Sequence, residues 1–164
     1  LINRPIKYRP IDVFFAGHMA SVNRQQYMHP VINFFQNMSS DSRPKLDFNI
    51  SKGFNMGLDS DTYSEKIHES KVVVCPAGNV SMETFRHYEA QWWEISIWNT
   101  KIYKKAAICQ VDDWAGNVGN TIMDLLSDLD MLQLIQDRQQ QTYNNRFTAK
   151  SVAKYINELL PVTK

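Results

Sequence analysis

Cysteine is scarce in this 164-residue chain: there are two, Cys75 and Cys109, too few for a fold held by a disulfide framework. Each lies in or beside an apolar segment and is read as a buried thiol of a reducing compartment rather than as a disulfide or half of a metal site; a bridge stays open if their strands are neighbours. No apolar run approaches the ~20 residues that span a bilayer, and the opening Leu1-Ile2-Asn3-Arg4-Pro5 lacks the apolar core and cleavage pattern of a signal peptide. Nothing is therefore expected to insert in or cross a membrane. Charge of one sign is also missing. Eighteen basic residues against 17 acidic ones leave a net charge of +1, which gives no electrostatic case for a nucleic-acid surface, so any anion site must be local. There is no internal repeat or low-complexity tract, Gln139-Gln140-Gln141 being too short to count. An initiator Met is absent too, and the chain is read as a fragment, a processed product or a separately encoded half of something larger.

What is present suits an ordinary globular protein, with 43% hydrophobic and 21% charged residues. The length fits one domain, 1–164, able to bury roughly two-thirds of its unfolded surface. Pro5 and Pro10 mark residues 1–10 as a leading linker. Strands are expected at 11–16, 46–50, 72–75, 94–98 and 106–110, with Gly17-His18-Met19 as a turn after the first. Helices are expected from Ser21, where Pro30 must kink the helix or mark a second start, at 60–69, and from Ser81 through Ala90. Ile122, Leu125, Leu126, Leu129, Leu132 and Ile135, then Val152, Tyr155, Ile156, Leu159 and Leu160, recur at helical spacing and predict a helical C-terminal end. Alternating strands and helices predict an α/β fold, a doubly wound parallel sheet with helices on both faces. In such a sheet ligands bind at the carboxyl ends of the strands, near the switch in strand order, so the loops after Ala16, Ile50 and Cys75 are expected to converge.

The stretch from Ser70 to Ala90 is the most informative. Residues 72–75 read as a strand covered on both faces, Pro76 and Gly78 stop it, and Ser81 is a good N-cap. Free N–H groups at a helix start, with the positive end of the dipole, suit a diphosphate. Arg86 and Glu89, three apart, share a helix face, which puts a guanidinium near phosphates and a carboxylate where sugar hydroxyls are accepted. Each residue also has a plainer reading. Arg86 and Glu89 make an exposed intrahelical ion pair, Gly78 supplies a turn, Ser81 and Thr84 cap, Glu83 complements the dipole, and Arg24 is a solvated arginine. His18 and His87 are read as structural or exposed.

The order Pro76-Ala77-Gly78-Asn79, then Glu83-Thr84-Phe85-Arg86-His87-Tyr88-Glu89-Ala90, resembles the donor-site motif of exostosin-like glycosyltransferases, especially bacterial ones that build surface polysaccharides. The likeness is sharpest over 63–90. Phe14-Phe15-Ala16-Gly17 with Arg24, and the segment 149–160, resemble that family's looser flanks. The resemblance implies a Rossmann-like domain that is the C-terminal, donor-binding half of a GT-B fold, with Arg86 on the donor phosphate and Glu89 on ribose hydroxyls. The candidate donor contacts are Gly17, Arg24, Gly78, Asn79, Ser81, Glu83, Thr84, Arg86 and Glu89, Arg24 being a second candidate for the diphosphate and Glu83 a candidate for a sugar hydroxyl. The implied partners are a nucleotide-sugar donor, a saccharide acceptor and a missing N-terminal Rossmann-like domain, in the cytoplasm or peripherally at the inner membrane face. No catalytic base can be named. No cofactor is implied, and Asp59-Ser60-Asp61, which invites a divalent-metal reading, is better read as capping a helix, as Asp128-Leu129-Asp130 shows how easily that spacing arises. Just past the motif the chain has Gln91-Trp92-Trp93-Glu94 where such enzymes usually have a small glycine-containing turn, which lends support to an alternative: a non-catalytic nucleotide-binding or assembly domain of the same fold.

Overall fold

A computed structural model describes residues 4–53, 56–76, 95–98, 109–111, 113–146 and 148–159. Its strands are β1 (Ile11–His18), β2 (Leu46–Ser51), β3 (Ser70–Val74), β4 (Ile95–Trp98) and β5 (Cys109–Gln110). They form one five-stranded sheet in the order β2-β1-β3-β4-β5, and every pairing in it is parallel. Five helices are described: α1 (Val22–Gln36), α2 (Ser60–His68), α3 (Trp114–Ser127), α4 (Leu129–Arg146) and α5 (Ala149–Leu159). The molecule is thus α/β with a parallel sheet, as expected. The helix expected at 81–90 and the Trp92-Trp93 pair lie outside the described residues.

Successive side chains of a strand point to opposite faces, and here both faces are apolar because both are covered. Val13, Phe15, Val72 and Val74 pack with Met28, Val31 and Phe35 of α1, Trp114, Val118 and Ile122 of α3, and Leu132 of α4. Phe14, Ala16, Val73 and Cys75 point the other way, where Ile67 of α2 closes a smaller cluster with Leu58 and Tyr63. The helical spacing read through 122–135 is buried as predicted, with Leu125, Leu126, Leu129 and Ile135 against the first cluster. It belongs to two helices, however, which break at Asp128.

Three other expectations are revised. The first strand runs on through His18, and Gly17, at φ 159°, is extended backbone paired with Ile50 rather than a turn. Pro30 sits inside a continuous α1 and so does not mark a second start. The carbonyl that loses its partner there belongs to Gln26, which is exposed and open to water. The stretch read as a leading linker is docked: residues Ile6–Tyr8 form a 3-10 turn, Ile6 is buried, and its N–H donates to Gln133 Oε1 at 2.8 Å. Arg9 Nη1 donates to the Ser70 carbonyl at 2.8 Å, which ties the same segment to β3.

Trp114 joins α3 to α1 by donating its indole N–H to the Tyr27 carbonyl at 2.6 Å and meeting the Tyr27 ring edge-on, centroids 5.9 Å apart. At Gly119 the two helices come so close that a Cβ would stand 2.1 Å from the Phe34 ring.

Candidate functional site at the carboxyl edge of the sheet

The chain goes from β1 to β2 on one side, then crosses to β3 on the other side of β1 and continues outward. The switch in strand order therefore falls between β1 and β3, the position at which parallel α/β sheets in general take ligands at their carboxyl edge. On the β1 side the chain runs on through 18–24, and on the β3 side it leaves through Cys75-Pro76.

The β1 side is tightly fastened. Ser21 is the N-cap of α1: its hydroxyl accepts the Arg24 N–H at 3.3 Å, and its carbonyl accepts the Gln25 N–H at 3.1 Å. Arg24 stands in the first turn of the helix and is 6% exposed, so it is not the solvated surface arginine of the plainer reading. Its guanidinium Nη1 donates to the His18 carbonyl at 3.4 Å, which places a full positive charge beside the positive end of the α1 dipole at the carboxyl edge. Gln25 Nε2 donates to the Met19 carbonyl at 2.7 Å, and His18 Nδ1 accepts the Ala20 N–H at 3.4 Å. With β1 ending at His18, the turn itself is 19–21, two residues later than the sequence suggested.

Of the nine candidate donor contacts, Gly17 and Arg24 are described, and β1 and the start of α1 bring them to the same edge. Gly78, Asn79, Ser81, Glu83, Thr84, Arg86 and Glu89 lie outside the described residues. Gln25 was missed by the sequence reading, because nothing in its local pattern marks a side chain that reaches back six residues to a carbonyl. At the end of β2 the neighbour of His18 is Ser51, whose hydroxyl donates to the Gly53 carbonyl at 3.1 Å.

The aspartate pair resolves as a cap. Asp59 accepts the N–H groups of Asp61 at 3.1 Å and Thr62 at 2.9 Å, and the Thr62 hydroxyl at 2.7 Å. The Thr62 N–H, then its hydroxyl, hold the Asp59 carboxyl below the ordinary carboxylate range. Among the described residues no three of His, Cys, Asp and Glu come together as a metal site would require. Cys75 is buried, and β4 separates β3 from the strand of Cys109, so the neighbouring strands that a bridge requires are not present. No described helix is long and apolar enough to cross a membrane.

Compared with protein-family models and with curated proteins, the chain matches neither.

Proposed function

We propose that this chain is the donor-binding half of an exostosin-like glycosyltransferase: a doubly wound, Rossmann-like domain that binds a nucleotide sugar for transfer to a saccharide hydroxyl held by a partner domain. The observation that carries this reading is the switch point between β1 and β3, which sets the fastened turn and buried Arg24 beside the strand end that leads into Gly78, Asn79, Ser81, Glu83, Thr84, Arg86 and Glu89. Helix-start N–H groups, Arg86 and Arg24 neutralise the charge that builds on the diphosphate as the glycosidic bond breaks, and Glu89 takes the ribose hydroxyls. The acceptor and the second Rossmann-like domain complete the enzyme, in the cytoplasm or against the inner membrane face.

The strand order is also that of flavodoxin-like regulators, which would need an acidic cluster at the end of β1. The acid on β1 is instead Asp12, near its opposite end, paired with Lys71 at 2.7 Å and accepting the Lys45 N–H. The nucleotide-binding reading is favoured for that reason.

Calorimetric titration with uridine, guanosine and cytidine diphosphates tests it. Arg86→Ala is expected to weaken binding by about 1.5–3 kcal/mol with the fold intact. Equal affinity of variant and parent removes Arg86 from the phosphate. Glu89→Gln is expected to cost affinity for the ribonucleotide and little for its dideoxyribose analogue; parallel losses would move Glu89 away from the ribose.

A further inference from the structure

We draw no further inference here: the strongest candidate, the apolar side of α5 on which Val152 and Tyr155 are exposed, carries nothing because nothing in the structure shows what covers it.

Discussion

Asp59 and Asp128 open the same Asp-x-Asp spacing and have the same occupation: Asp59 holds the first turn of α2, and Asp128 Oδ1 accepts the Met131 N–H at 2.9 Å ahead of α4. Since the Asp59 carboxyl is held below its ordinary value, its stabilising contribution is complete above that value and is lost as pH falls through the lowered one. Asp59→Ala is accordingly expected to melt earlier than the parent at neutral pH, and the gap should close as the pH is taken down to about 2. A gap that persists in acid would mean that the charge is not what caps. Gln139 of α4 calls for a different change. It is 1% exposed, and neither its Nε2 nor its Oε1 has a partner among the described residues. An amide desolvated in this way costs stability, so Gln139→Leu should raise stability by about 1 kcal/mol in denaturant titration; a loss would reveal a partner for that amide. The caps were legible in the sequence because a cap is decided within four residues. The burial of Arg24 was not, because it follows from how the start of α1 meets the end of β1, and no local pattern records that.

At the scale of elements, α1 and α3 meet through Trp114 and through the missing side chain of Gly119. Alanine in a helix interior ordinarily gains about 1 kcal/mol over glycine. Here the added methyl would meet the root of the Phe34 ring, which cannot swing away as a flexible chain end would, so Gly119→Ala is expected to destabilise by roughly 1–3 kcal/mol in thermal melts. A stabilised variant would show that the two helices can part at little cost. Residues 72–74 of β3 were legible as a strand, though it starts at Ser70 and stops before Cys75, and α3 and α4 were legible as helices, since an apolar run between Lys71 and Pro76 and a 3.6-residue stripe are strong signals. The break between α3 and α4 was concealed. Asp128 alone leaves the helical conformation, and a single residue barely disturbs the phase of Leu125, Leu129 and Leu132. β5 is described as two residues, Cys109 and Gln110, against an expected 106–110, of which 106–108 lie outside the described residues.

For the whole molecule, the proposed donor-half function has the chain bind a nucleotide sugar weakly, at about −4 to −5.5 kcal/mol, and transfer nothing by itself, because half of a two-domain cleft would supply neither the acceptor nor closure over it. A chelator in the titration should leave the affinity unchanged. Binding that needs magnesium or manganese, or sugar transfer by the purified chain, would overturn the donor-half reading. The parallel α/β class was legible from alternating strand and helix patterns, whereas the strand order was not. Nothing in the residues of β1 says that β2 lies on one side of it and β3 on the other, yet that order alone puts the switch point between 18–24 and Cys75.

The docking of Ile6 against Gln133 joins residues 127 apart in sequence, while β1 finds β2 and β3 much earlier in the chain. During synthesis at about 5–20 residues per second, Ile6 would wait roughly 6–25 seconds for its partner to be made. Through that interval a ribosome-bound chain would hold Ile6 against the strands with the side-chain partner of its N–H still to be made.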